Sequence, residues 1–474
     1  MNGRGNILAK IDYITIGLYF LLVLMGWFNI YAAVYNDVHA SIFDISQRYG
    51  KQLMWISAAV VILIIILSID SKFFTVFSYP IYIFTISLLI AVLIFGKEVN
   101  GARSWFQIGS IRLQPAEFAK FATNLAIAQI LSSYNFKLLK PKNLALVALI
   151  LLLPAFLILK QNDTGSALVY FSFIFVLYRE GLPGYVLLVI LMIASVFIGT
   201  IIYNPFIISV IIILISAISY LVINRDLPRT IKAISLVFGL GTAFWGAATL
   251  LDYKFELYIY LLTALVISSI FFVWSAYKNK IKSIYLILLV LYGTILFSFS
   301  VKYIYENIFK DHQRDRIDNL LGLKFDPHGT GYNVHQSKIA IGSGGFSGKG
   351  FLQGTQTKFN FVPEQSTDFI FCTVGEEWGF LGTSTVIILF VFLLIRLIII
   401  AERQKSKFSR IYAYGLVSIL FFHIAINIGM TIGAAPVIGI PLPFFSYGGS
   451  SLWSFTILLF ILIRLDASRD ELIR

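Results

Sequence analysis

Apolar runs about as long as a bilayer is thick recur from one end of this 474-residue chain to the other, and they constrain it more than any single motif. They lie near 13–34, 53–69, 73–96, 116–133, 143–159, 166–180, 184–203, 206–223, 231–251, 256–275, 283–304, 381–400, 411–433 and 447–465. A water-soluble fold of this size needs far more polar surface. Here 58% of residues are hydrophobic and only 13% are charged, against a soluble norm of about 25% charged. The runs lack the two-residue alternation of a barrel strand, so the expected class is an all-α, polytopic helical membrane protein with about fourteen spans. The first run is too long for a signal-peptide core and no small-residue cleavage site follows it, so it reads as a retained span. The single cysteine, Cys372, permits no internal disulfide.

The formal charge of +13 does not point to nucleic acid, because the basic residues are not gathered on one amphipathic face. They alternate between loops. Lys137, Lys140 and Lys142 fall on one side, with Arg225, Arg229 and Lys232, with Lys278, Lys280 and Lys282, and with Arg403, Lys405, Lys407 and Arg410. The positive-inside rule makes that side cytoplasmic, and an even span count puts both termini there. The opposite side receives the 97–115 loop, the 160–165 turn, a Pro-rich 434–446 loop and a long segment at about 305–380. Connections beyond about 15 residues are usually functional or disordered, and the apolar residues scattered through 305–380 argue against disorder.

Familiar cofactor motifs fail on inspection. The run Gly342-Ser-Gly-Gly-Phe-Ser-Gly-Lys-Gly350 has Ser343 and Gly350 where a phosphate loop needs Gly and Ser or Thr, and Ser347 where a dinucleotide fingerprint needs its third glycine. The five histidines have no zinc-ligand spacing, and no Gly-x-Ser-x-Gly elbow occurs.

What remains are polar groups at the outer membrane edge. Arg103 and Trp105 precede Pro115, which suits a first helical turn, and Glu117 and Lys120 follow on one face. Two readings stay open there: an interfacial segment with a structural ion pair, or Arg103 and Lys120 gripping an anionic head group. Asp163 sits between two spans, as a functional acid or a cap. Arg314 and Arg316 could hold a diphosphate in bidentate fashion or form a solvated basic turn. Pro363 predicts a helix start that would place Glu364 and Asp368 one turn apart. Asp368 precedes Phe369-Ile-Phe371, surroundings that raise a carboxyl pKa toward that of a general base; for an isolated acid a capping role is the alternative.

Several stretches together resemble the SEDS family of bacterial cell-wall polymerases. They are Gly101-Ala-Arg-Ser-Trp105, Gln114-Pro-Ala-Glu-Phe-Ala-Lys120, Asp163-Thr-Gly-Ser-Ala167, Gln336-Ser-Lys-Ile-Ala-Ile-Gly-Ser-Gly-Gly345, Gly348-Lys-Gly350, Gly354-Thr-Gln356, Pro363 to Phe371, Gly375-Glu-Glu377, Asn427-Ile-Gly-Met-Thr431 and Pro441 to Ser450. The likeness is greater to the rod-shape branch than to the division branch. It implies a peptidoglycan glycosyltransferase that joins lipid II units into β-1,4 glycan on the outer face of the bacterial cytoplasmic membrane during cell elongation. It also implies Asp368 as the catalytic acid, with substrate-binding positions at Arg103, Trp105, Glu117, Lys120 and Glu364. Arg316, Lys338 and Lys349 complete that expected set. The implied partners are a class B penicillin-binding transpeptidase and other elongation-complex membrane proteins, with no nucleic acid; a divalent cation, Mg or Mn, is left open. Such proteins usually have about ten spans, so the resemblance implies one SEDS-like domain over 1–474 with about four extra helices near 200–282. A lipid-precursor flippase and a non-catalytic scaffold are the rival readings.

Overall fold

A computed structural model describes residues 10–35, 41–99, 101–109, 111–309, 311–321, 323, 331–359 and 361–470, without the side chains of Ile108, Ile111, Asp311, His312, Gln313, Arg316 and Asn319. In chain order its first helices are α1 (Tyr13–Ala33), α2 (Arg48–Ser68), α3 (Ser71–Val76) and α4 (Ser78–Phe95). Three short strands follow, β1 (Lys97–Val99), β2 (Ala102–Ile108) and β3 (Ile111–Leu113). Next come α5 (Pro115–Ser132), α6 (Pro141–Lys160), α7 (Thr164–Leu168), a 3₁₀ turn and α8 (Phe173–Arg179). Helices α9 (Gly184–Ile202), α10 (Pro205–Asn224), α11 (Leu227–Leu250), α12 (Leu257–Asn279), α13 (Ser283–Asn307) and α14 (Asp311–Leu321) precede α15 (Tyr332–Ser343) and α16 (Thr355–Lys358). The chain closes with α17 (Ile370–Glu402), α18 (Lys407–Thr431) and α19 (Gly449–Ala467).

Among the described residues, twelve helices are long and apolar enough to cross a membrane. All fourteen apolar runs form helix. The two outside the twelve are α5, which is alanine-rich and carries Glu117 and Lys120, and the short stretch Thr164–Arg179. The contacts divide the chain into two compact units, residues 1–183 with 325–474, and residues 184–324. The region near 200–282 lies wholly inside the second.

In the first unit, α5 and α19 are buried along most of their length. Alanines at 116, 119, 122, 126 and 128 let α5 pack closely against its neighbours. One end of the bundle is tied by charge. Asp12 caps α1 by accepting from the Thr15 amide at 3.0 Å and takes Arg396 at 2.6 Å and Arg403 at 3.0 Å, while Arg403 also grips the fully buried Asp466. Burial alone would raise the Asp12 carboxyl, but the Arg396 and Thr15 hydrogen bonds overcome it and hold the group down at about 2.

Within the 97–115 loop, β1, β2 and β3 form a small antiparallel sheet of order β1-β2-β3, not anticipated from the sequence. Lys97 pairs with Trp105, and Phe106 with Leu113. In the segment near 305–380 the described residues include helices α14, α15 and α16 and the start of α17. Its last part runs straight into α17, which starts at Ile370, eleven residues before the apolar run expected at 381, and is interrupted by the non-helical Gly379. The glycine run 342–350 is a backbone clamp on that helix. The amides of Lys349 and Gly350 donate to the carbonyls of Glu376 and Glu377 at 3.0 Å each, and the Phe380 amide donates to Gly345 at 2.9 Å. Gly348, at φ +81°, lies so near the Glu377 carbonyl that no Cβ fits.

The second unit is built from α9–α14 around a core of Ile208, Ile212, Ile213, Val237, Leu261, Leu265, Leu291 and Ile295.

Candidate functional site

Asp368 lies on a run of turns, not on a helix. The expectation that Pro363 starts a helix is corrected here: residues 363–369 are turn and α17 begins only at Ile370. Glu364 takes the left-handed conformation, φ 52°, and its carbonyl accepts from both Thr367 (3.1 Å) and Phe369 (3.2 Å), which curls the chain before the helix can propagate.

That curl is fixed from two sides. Asn427 of α18 donates through Nδ2 to the Asp368 carbonyl at 2.8 Å and to the Ile440 carbonyl at 2.7 Å. Ser446 Oγ donates to the Thr367 carbonyl at 2.6 Å, and the Tyr447 amide donates to Ser366 at 2.9 Å. Gly439, at φ +68°, passes so close that a Cβ there would come within 3.2 Å of Asp368 Oδ2. The main chain of Asp368 is therefore held tightly. Its carboxylate is not: among the described residues no donor is hydrogen-bonded to it, and the residue keeps partial exposure. Burial, then the negative charges of Glu364, Asp163 and Glu117, push its carboxyl up to about 7.

Those three acids come from three other places in the chain or turn. Asp163 caps α7, accepting from the Ser166 amide at 3.0 Å and from Gln114 Nε2 at 2.8 Å. Glu364, half-exposed, accepts from the Thr367 hydroxyl at 3.0 Å and lies 3.9 Å from Arg48 Nη1. Arg48, in the first turn of α2, donates to Ser366 Oγ at 2.7 Å and covers the Tyr447 ring. Neither composition nor motif spacing singled out Arg48.

Glu117 and Lys120 are inside the protein. Their side chains are 3% and 1% exposed, and the ammonium lies 2.8 Å from both carboxylate oxygens. Its third partner is His423 Nε2 at 3.0 Å, with the Phe455 ring 4.9 Å away. A carbonyl can only accept, so the 3.1 Å contact of His423 Nδ1 with Pro441 O puts the imidazole proton on Nδ1 and leaves Nε2 to accept from Lys120. All three ammonium donors are thus matched. This corrects the reading of Lys120 as a direct head-group ligand: a fully paired, buried cation has nothing to offer one. Asn427 and His423, one turn apart on α18, join this network to the Asp368 curl. Polar side chains at that spacing within an apolar run are the signal that marks them.

The remaining candidates are dispersed. Arg103 is exposed and Trp105 partly exposed on β2, whose Arg103 amide donates to the Gln161 carbonyl at 3.0 Å; the Asn162 side chain donates to Gly101 at 3.2 Å. The sheet is thereby docked on the turn that carries Asp163. Lys338 on α15 is exposed and its side chain lies across Gly433. Lys349 is committed to Glu376 at 2.7 Å, a fully buried carboxylate that also accepts from the amides of Thr355, Gln356 and Thr357 at 2.8–2.9 Å. Arg314 on α14 donates to the Glu306 carbonyl at 2.6 Å within the second unit. Arg316 is on the same helix, its side chain outside the described residues.

Between α1 and α17 runs an apolar groove of about 630 Å³, lined by Met25, Phe28, Phe351, Trp378 and Leu381 among others. Among the described residues no group of three or more His, Cys, Asp or Glu side chains comes together that could hold a metal ion.

A family model described as a cell cycle protein, covering FtsW, RodA and SpoVE, matches residues 12–222 and 261–471. The peptidoglycan glycosyltransferase RodA of Treponema pallidum is 31% identical over 468 residues, 98% of this chain and 99% of that protein. The peptidoglycan glycosyltransferase MrdB of Escherichia coli K12 is 30% identical over 405 residues, 85% of this chain and 81% of its own length. A chain of a peptidoglycan synthase complex that coordinates polymerization and crosslinking shares the fold, with a TM-score of 0.63 at 23% identity over 97% of this chain and 98% of that one.

Proposed function

This chain belongs to the FtsW, RodA and SpoVE family of cell cycle proteins, and from that premise we propose that it is a peptidoglycan glycosyltransferase that polymerises lipid II. One observation carries the chemistry. Asp368 has a main chain pinned by Asn427 and Ser446, a carboxylate with no hydrogen-bond donor among the described residues, and a carboxyl pushed up to about 7. A general base works best with a pKa near the operating pH and a lone pair free for the incoming proton. In this reading Asp368 takes the proton of the acceptor sugar's 4-hydroxyl as that oxygen attacks the donor anomeric carbon. The bond to the diphosphate breaks through an oxocarbenium-like transition state, and undecaprenyl diphosphate leaves.

The cations that can meet the leaving diphosphate are those with exposed heads. Arg103 and Arg48 qualify, and Lys338 is a third; Lys120 and Lys349 then act as positioning residues through Glu117 and Glu376. The groove between α1 and α17 suits an isoprenoid tail. We place the site on the outer face of the cytoplasmic membrane, opposite the basic loops, with a class B penicillin-binding transpeptidase and other elongation-complex membrane proteins as partners. The synthase complex that shares the fold supports a transpeptidase partner. We also read the helices near 200–282 as an addition to the family's usual set; the family model leaves 223–260 unmatched.

The test is purified protein in proteoliposomes given labelled lipid II with its transpeptidase partner. Glycan polymer supports the proposal. Transbilayer movement of the lipid without polymer would instead identify a flippase, and neither product would leave a scaffold.

A further inference from the structure

The second unit contains a cavity that the reaction at Asp368 does not use. It has a volume of about 290 Å³ and lies among α10, α11, α12 and α13, with Ile213, Val237, Leu265 and Leu291 on its walls. Arg229 and Lys232, in the first turns of α11, also line it. This size is at the low end of ligand pockets, roughly 300–1,000 Å³, which fits one acyl tail better than a whole lipid.

The cations are not isolated at that end of the bundle. Helices α10 and α12 finish there and α11 and α13 begin there, joined by a hydrogen bond from Ser283 to Asn224 at 2.9 Å. Arg225, Arg229, Lys232, Lys278, Lys280 and Lys282 gather there against one acid, Asp226, which takes Arg229 at 3.1 Å. Lys232 is exposed and has no ion-pair partner among the described residues. An apolar pocket under a strongly cationic rim matches an anionic amphiphile: tail inside, phosphate at the mouth. The helix that supplies both rim cations, α11, falls wholly within 223–260, the stretch the family model leaves unmatched. The rim cations and one wall of the pocket thus lie in that unmatched stretch, while its other walls, from α10, α12 and α13, lie in the matched segments.

We propose that the α10–α13 bundle binds an anionic phospholipid, its acyl chain in the cavity and its phosphate on Arg229 and Lys232. Nothing in this depends on the chemistry assigned to Asp368. The experiment is native mass spectrometry and thermal melting of the full-length protein in neutral detergent, titrated in parallel with phosphatidylglycerol, phosphatidylcholine and inorganic phosphate. Wild type retains phosphatidylglycerol and melts higher with it, shows a smaller response to phosphatidylcholine, and shows none to inorganic phosphate. The variant R229Q/K232Q binds phosphatidylglycerol roughly tenfold more weakly. Ala233→Trp, which fills the cavity and leaves the rim charges in place, also loses retention; Ser216→Leu is the milder filler should the tryptophan variant melt lower without lipid. Equal stabilisation by inorganic phosphate, or undiminished phosphatidylglycerol retention in the charge or filled variants, overturns the proposal.

Discussion

Asn427 donates from one side-chain nitrogen to the main-chain carbonyls of both Asp368 and Ile440, at 2.8 and 2.7 Å, so a residue inside α18 holds the proposed base in register with the loop beside it. Its side chain touches the backbone of Asp368 and not the carboxylate. Asn427 is thus a positioning residue, and its loss frees two carbonyls and lets the carboxylate drift. Asn427→Ala is expected to lower kcat by roughly 10–100-fold while KM changes little. Steady-state polymerisation kinetics separate the two. An unchanged kcat would remove Asn427 from the positioning of Asp368.

The pH dependence follows from the carboxyl at about 7. A base must be ionised, so turnover rises with pH through about 7. Glu364 is one of the charges that raise it; Glu364→Gln removes that charge, lowers the Asp368 pKa and moves the rising limb to lower pH by a fraction of a unit. A shift to higher pH would contradict this electrostatic reading. The same group bears on stability with a definite sign. Its folded pKa is above the ordinary carboxyl value of 3.8, so its contribution is present below about 4 and lost as pH rises through about 7. Asp368→Asn should therefore melt a few degrees higher than wild type at pH 8 and by a smaller margin at pH 5.

The Glu117–Lys120 pair predicts a strongly non-additive cycle. Lys120→Met leaves a buried carboxylate facing His423 without its cation, an effect of about 3–5 kcal/mol for an uncompensated buried charge. Glu117→Gln in the same chain removes that charge and should recover much of the loss. Thermal melts of the two single variants and the double variant measure the coupling. Additive losses would mean that the pair does not act as a unit.

Membrane class was legible in the sequence because it rests on the length of apolar runs, which every backbone amide in a bilayer enforces. The site was less so, for identifiable reasons. Pro363 reads as a helix start, yet Glu364 enters the left-handed region and the Ser446 and Asn427 contacts, 79 and 59 residues further on, hold the turn that results. The Glu117–Lys120 spacing is visible, but whether it faces solvent or the core depends on α18 and α19, which bring His423 and Phe455 over it. The glycine run imitates a phosphate loop because close backbone approach needs glycine in either setting; only the fold reveals that it approaches α17. Arg48 carries no local signal at all, since its role depends on meeting Ser366 across 318 residues of chain.

The most direct test of the central claim is the rate of lipid II polymerisation by Asp368→Asn, measured with the transpeptidase partner present. The asparagine keeps the side chain's shape and removes its proton-accepting oxygen, and melting at pH 5 verifies that the variant is folded. Loss of general-base catalysis predicts a fall of roughly 10²–10⁴-fold. Polymerisation within a few fold of wild type by the folded variant would contradict the account.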